Sequence, residues 1–197
     1  MTADRNAGRP AGEIVHFATA AELETWFESN HGLEEGIWLK IAKKGADRPS
    51  VTYGEAVDLA LCFGWIDGQK ASFDGEYWLQ RFTRRGRRSR WSQLNRARAE
   101  SLRDAGRMRA PGLAEMERAQ ADGRWEAAYA GSASATVPEE LQRELDLDPD
   151  AAAAFGRLDA QSRYSIIWRI NDAKRPETRA RRVAQYLEAI RRGERIR

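Results

Sequence analysis

The stretch from Thr52 to Phe63, TYGEAVDLALCF, is apolar on nearly every side once it is wound into a helix. Ala56, Val57, Leu59, Ala60, Leu61, Cys62 and Phe63 crowd its length. A helix with no polar face has to be covered all round, so this one belongs at the centre of a domain. Thr52 with Glu55 three residues on has the spacing of a capping box, and Gly64 stops the helix. The neighbouring segments must supply the cover. A chain of 197 residues is long enough for one good core, or for one domain plus a smaller helical partner.

The cover can be read in order. Residues 1–12 are polar with Gly and Pro, and are expected as a flexible tail. Ile14, Val15 and Phe17 suit a short strand. Thr19 and Glu22 then open a helix whose apolar face is Leu23, Trp26 and Phe27, closed at Asn30-His31-Gly32 with the glycine suited to a left-handed cap. From Gly36 to Lys43, Ile37, Leu39 and Ile41 alternate with Trp38, Lys40 and Ala42, which is the period of a strand. Beyond Gly64, Trp65–Ser72 and Glu76–Thr83 read as two strands of a hairpin turning near Asp74-Gly75. A helix follows from Ser92 to about Ala105, with Leu94, Ala97, Ser101, Leu102 and Ala105 as its apolar stripe. Another begins at Pro111 with Leu113, Met116 and Ala119. Residues 132–136 lie in a Gly-, Ser- and Ala-rich linker. Short helices are expected at Pro138–Leu147, Pro149–Leu158 and Gln161–Ala173, and a last one starts at Pro176.

The fold class that follows is α+β, mainly helical with a small antiparallel sheet, followed by a C-terminal helical module. The expected divisions are a tail at 1–12, an α+β domain at 13–131, a linker at 132–136 and a helical module at 137–197.

Between Arg81 and Arg98 the chain reads RFTRRGRRSRWSQLNRAR, with eight arginines and no acid. It runs from strand through a basic loop into a helix N-terminus. That arrangement points arginines and unpaired backbone N–H groups toward one place, which suits an anion. A solvated basic loop is the alternative. The candidate ligand-binding residues are Arg81, Arg85, Arg87, Arg88, Arg90, Trp91, Ser92 and Asn95, with Asp67 as a neighbouring acid. Ser92 is read as the helix N-cap, satisfying one of the first amides and leaving the rest around Gln93–Asn95 to a ligand. Trp91 packs in the core or rim by default, with stacking on a base or ring as the alternative. Asp67 is either a carboxylate paired with Arg81 across the sheet face or a turn residue ahead of Gly68 bonding its own backbone.

Other chemistry is weakly signalled. His16 and His31 are far apart and lack a ligand spacing, so no metal is expected. Cys62 is the single cysteine and sits on the apolar helix, as a small hydrophobe does. No GxSxG, P-loop or GxGxxG word is present, and no cofactor is expected. The net charge of +3 does not indicate a strong nucleic-acid binder, so such binding is expected to be weak at most. No signal peptide and no run of membrane-spanning length is seen, which makes the cytoplasm the expected location. The segment Pro138–Asp159 is acidic and the tail from Arg163 is basic. These blocks are expected to pair with each other before they meet a partner.

Several words resemble the YdeI or OmpD-associated family of bacterial proteins: TYGEAVDLALCFGWIDG at Thr52–Gly68, RFTRRGRRSRWSQLN at Arg81–Asn95 and DGRW at Asp122–Trp125. The part from VPEEL at Val137 to AKRPETRARR ending at Arg182 is similar to the family's helical OmpD-associated module. One departure stands out. The family usually reads RFTPR, and Arg84 occupies the place of that proline, whose ring would fix φ. The resemblance implies a mixed domain followed by a helical one, links to envelope stress and protection from bacteriocins or cationic peptides, and possible association with envelope proteins. It implies no particular reaction.

Three functional classes follow. The leading one is a stress- or protection-associated protein without a defined reaction, binding a small anionic ligand or polyanion at the arginine-rich loop. The second is an enzyme with a pocket around Asp67, Arg81 and the tryptophans. The third is a weak nucleic-acid-binding module.

Overall fold

The computed structural model describes residues 12–132 and 134–194. Residues 1–11, with most of the expected tail, lie outside them, as do 133 and 195–197. The chain divides into two compact units, up to Tyr129 and from Ala130.

In the first unit the apolar run is helix α2 (Tyr53–Cys62), with Ala56, Val57, Leu59, Ala60, Leu61 and Cys62 all buried. Its capping box is complete. Thr52 Oγ1 accepts from the Glu55 amide at 3.2 Å, and the Thr52 amide donates to Glu55 Oε2 at 2.8 Å. Helix α1 (Ala20–Asn30), capped by Thr19, buries Leu23 and Phe27 beside it. Gly32 does not take a positive φ. Instead the Asn30 side chain and the His31 ring bond back to the carbonyls of Trp26 and Phe27, and these polar groups end the helix.

Four strands form one sheet: β1 (Ile14–Val15), β2 (Ile37–Ala42), β3 (Trp65–Ser72) and β4 (Tyr77–Arg84), in the order β1-β2-β4-β3. The expected antiparallel sheet is in fact mixed, because β1 runs parallel to β2. The reason is the connection. α1 carries the chain back between the two strands, and a helical crossover returns it in the same direction. Ile37, Leu39, Ile41 and Phe82 face the helices, and Trp65 packs edge-on against Phe27 and Trp26. The β3–β4 turn is made by the Asp74 side chain, whose Oδ1 accepts from the amides of Glu76 and Tyr77 at 2.8 and 2.7 Å. Gly75 keeps an ordinary φ.

Helix α3 (Gln93–Asp104) buries Ala99 and Leu102. The expected stripe holds only at Leu102, since Leu94 is 61% exposed and Ala97 and Ser101 face outward. The arginines set the rotation: Arg96 Nη1 donates to Trp125 O at 3.2 Å and Arg98 pairs with Asp58 of α2 at 3.1 Å. Helix α4 (Ala110–Ala121) lies against the end of α2. A Cβ at Gly112 would run into the backbone carbonyl of Cys62, so glycine lets the two backbones meet.

The second unit is four helices: α5 (Glu139–Leu147), α6 (Pro149–Arg157), α7 (Ala160–Asp172) and α8 (Pro176–Arg191). Leu141, Leu145, Phe155, Ile166, Ile170, Val183 and Leu187 form its core. The opposite charge blocks do pair within it. Arg179 Nε meets Glu140 Oε1 at 2.6 Å, and Arg191 meets Asp148 Oδ2 at 2.7 Å.

Candidate anion site

The site begins where β4 ends. The Arg85 amide donates to Gly64 O at 3.0 Å, which fastens the chain to the corner between α2 and β3. Gly86 and Ser89 then close a tight turn, with the Gly86 amide on Ser89 Oγ at 3.0 Å and the Ser89 amide on Gly86 O at 2.9 Å. This pulls the backbone round so that Arg85 points inward. Its residue is only 5% exposed, although its neighbours Arg84, Arg87, Arg88 and Arg90 are exposed.

The Arg85 guanidinium lies over the Trp91 ring, 3.7 Å from the centroid. Nη1 donates to Arg90 O at 3.2 Å. Nε and Nη2 are buried and have no hydrogen-bond partner. Burial pushes the Arg85 pKa down to about 10, against the opposing pull of Asp67 and Tyr129. No carboxylate of the described residues lies within ion-pair distance of it. Buried polar groups are almost always satisfied, and a buried charge more so. Nε and Nη2 form one edge of the guanidinium, the edge that grips a carboxylate or phosphate with two parallel bonds.

The surroundings of this edge are firmly held. Trp91 is buried, edge-on to Trp125 at 4.7 Å. It therefore packs as a core residue, as expected by default, and the alternative of an exposed stacking surface for a base does not hold. Tyr129 bridges to the loop, its amide donating to Trp91 O at 3.0 Å, and Arg90 sits over its ring at 5.3 Å. Arg124 anchors the turn from behind. Its Nη1 donates to Ser89 O at 3.0 Å and to Glu115 Oε1 at 3.1 Å, and Glu115, itself 2% exposed, also pairs with Arg118.

The helix N-terminus is less open than its sequence suggests. Ser92 caps α3 by accepting from Asn95 N at 3.1 Å, as expected. The Gln93 amide, however, is taken by Tyr129 O at 2.9 Å. Ser92 thus satisfies one amide as expected, and the Gln93 amide, expected to be available, is committed within the fold.

Asp67 and Arg81 are not brought together. Asp67 is paired in register with Phe82 and Arg81 with Trp38, and adjacent residues of a strand face opposite sides. Arg81 lies on the outer face, over Trp38 at 5.5 Å with Nη2 on Glu35 O. The partner of Asp67 is Tyr53, whose hydroxyl donates to Oδ2 at 2.6 Å. Burial, followed by the bond and charge of Asp67, raises the Tyr53 pKa well above the ordinary phenol value. Tyr53 was not singled out from the sequence. It looks there like an ordinary first helical residue, and only the β3 register brings Asp67 to it.

Among the described residues no group of three or more His, Cys, Asp and Glu side chains is placed to hold a metal ion. The Cys62 thiol is pushed up to about 11 by burial. In the second unit a groove of about 910 Å³ runs along α5 and α8, floored by Val183 and Leu187 and edged by Leu147, which is 81% exposed. Its Arg179 and Arg191 are already paired, and Arg143, Glu144, Lys174 and Glu188 share its lining with the apolar residues.

Comparison with known proteins bears on both units. Residues 15–115 match the family model described as Domain of unknown function (DUF8412), and residues 134–193 match the one described as Bacteriocin-protection, YdeI or OmpD-Associated. The chain belongs to the first family and carries the YdeI or OmpD-associated module of the second. No curated protein and no solved structure matches the chain. The words at Thr52–Gly68 and Arg81–Asn95 fall inside the first match, and VPEEL through Arg182 falls inside the second. The site built on Arg85 therefore belongs to the domain whose description assigns no function. No helix among the described residues is long and apolar enough to cross a membrane.

Proposed function

We propose that this is a YdeI-type protection protein whose first unit binds a compact anion, with Arg85 as the central ligand. One observation carries the reading: an arginine 5% exposed, its guanidinium stacked on Trp91, with Nε and Nη2 unpartnered. A fold that leaves a buried cation without a counter-charge gives up stability unless something binds there. Arg87, Arg88 and Arg90 on the rim draw anions toward it. Trp91 backs the guanidinium and keeps water from one side, while Ser92 and Asn95 fix the start of α3. Arg81, on the other face of the sheet, is outside this site.

The test is thermal stability with and without phosphate at fixed ionic strength. A bound anion raises the wild-type midpoint by mass action on the folded state. Arg85→Met abolishes the rise, and the Arg88→Ala, Arg90→Ala double variant reduces it. Equal rises in all three proteins would remove the site from this loop. The nucleic-acid reading is less well supported, because Trp91 is buried and the net charge is small. Fluorescence anisotropy with duplex and single-stranded oligonucleotides at low salt should give weak, strongly salt-dependent binding at most.

A further inference from the structure

The second unit carries an apolar groove that its own side chains do not fill. It runs between α5 and α8 and holds about 910 Å³. Val183 and Leu187 are buried at its floor, while Ala180 and Ala184, one turn apart on α8, line it and are exposed. Leu147 ends α5 at the edge of the groove and is 81% exposed. A single exposed leucine is ordinary on a surface. A leucine standing beside an open apolar groove is a knob next to a hole, the two halves of a helix-in-groove contact.

Most charges along the groove are answered within the unit. Arg179 pairs with Glu140, Arg191 with Asp148, Arg143 with Glu139 and Glu188 with Arg192. Two in the lining are not. Glu144 on α5 and Lys174 ahead of α8 form no ion pair among the described residues, and both are exposed. They are opposite in sign and lie apart along the groove. α5 and α8 run in the same direction, since Glu140 meets Arg179 and Asp148 meets Arg191. Leu147 therefore lies beside the C-terminal end of α8, with Glu144 about one turn back, while Lys174 precedes its N-terminus.

We propose that the α5–α8 groove is the surface on which two copies of this chain pair about a two-fold axis. Such an interface is isologous, so one surface must carry both halves of every contact. This surface does: it has an apolar knob with an apolar groove, and an unpaired acid with an unpaired base. An axis near Ala180 sets the two α8 helices antiparallel. Leu147 and Glu144 of each copy then lie over the end of the other that holds Ala173, Lys174 and Pro176. Ala180 and Ala184 let the helices approach closely, because the distance between packed helices follows the size of the side chains at the contact. A helix of another protein would have to bring matching charges, whereas a second copy already carries them.

The experiment is sedimentation equilibrium of the full chain from about 1 µM to about 1 mM, the range in which a weak interface shows itself. A reversible monomer–dimer equilibrium is expected. Leu147→Ser removes the knob from both halves of the interface and should weaken association about tenfold or more. Glu144→Lys alone sets Lys against Lys twice in each dimer, and Lys174→Glu alone sets Glu against Glu. Each should weaken association about fivefold, and less at high salt. An equal mixture of these two single variants restores both pairs in the mixed dimer, and should associate about as tightly as the wild type. All three side chains are exposed in a single copy, so each variant should keep the wild-type far-UV circular dichroism. A protein that stays monomeric throughout would overturn the proposal and leave the groove to a helix of another protein. A dimer untouched by Leu147→Ser, or a mixture no tighter than the variants alone, would overturn it as well.

Discussion

Arg85 is the residue on which the account turns, and its energetics are testable apart from any ligand. Its pKa is lowered to about 10 by burial, so the folded state carries a cation it would hold more cheaply in water. Replacing a buried charge by an apolar side chain of similar volume is often neutral or stabilising by about 1–4 kcal/mol. Arg85→Met should therefore leave the denaturation midpoint unchanged or raise it. A loss above about 2 kcal/mol would mean the arginine is needed for the fold. The sign of the pH dependence follows from the same shift. In the folded protein Arg85 loses its proton at about 10, before the unfolded chain does, so anion affinity falls as pH rises through that value. From the sequence, Arg85 was one of several candidate arginines in a single basic stretch. What distinguishes it is the bond from its amide to Gly64 O and the Gly86–Ser89 turn, long-range and turn contacts that no local pattern announces. Tyr53 was missed for a similar reason. Asp67 was noticed, but its assigned partner lay on the wrong face because strand register could not be read.

At the level of elements, α2 was the most legible. Its apolar residues surround it, and its capping box stands as Thr52 and Glu55 suggest. Leu59 is 2% exposed, and Leu59→Ala should cost about 2–5 kcal/mol in chemical denaturation. A loss under about 0.5 kcal/mol would place the core elsewhere. The α2–α4 contact was not legible, because a glycine inside a helix gives no hint of what approaches it. Gly112→Ala should lower stability by about 1–3 kcal/mol, the usual cost of overpacking, since its Cβ meets Cys62 backbone rather than a movable side chain. A neutral effect would mean α4 can slide. The stripe expected on α3 includes Leu94, which is 61% exposed. Arginine bonds to Trp125 O and Asp58 turn that helix instead, with small Ala99 and Leu102 inward. The parallel strand β1, two residues long, was too short to declare its direction.

At the scale of the whole molecule, both units add capping groups and ion pairs to an apolar core, and the second unit's core is the smaller of the two. Asp148 is held below the usual carboxylate range by the Ala151 amide and then by Arg191, Glu140 by Arg179, and Asp159 by the Ser162 amide. A carboxylate with a depressed folded pKa contributes stability above its unfolded value, and that contribution is lost as pH falls through the folded one. Amide hydrogen exchange in α5–α8 should therefore lose protection as pH drops below the ordinary values of 3.8 for Asp and 4.5 for Glu. Once intrinsic rates are corrected for, unchanged protection down to pH 3 would contradict this role.

We propose that the buried, unpartnered Nε–Nη2 edge of Arg85 takes an anion. Arginine Nε–H groups give their own nitrogen resonances, and a buried, unbonded one is well placed to report a new partner. The ¹⁵N-labelled protein is titrated with phosphate at fixed ionic strength, and the Arg85 Nε–H resonance is assigned by its loss in Arg85→Met. The account predicts a saturable shift of that resonance, while the Nε–H of Arg81, on the opposite face of the sheet, stays still. An Arg85 resonance unmoved by phosphate and acetate alike would contradict it.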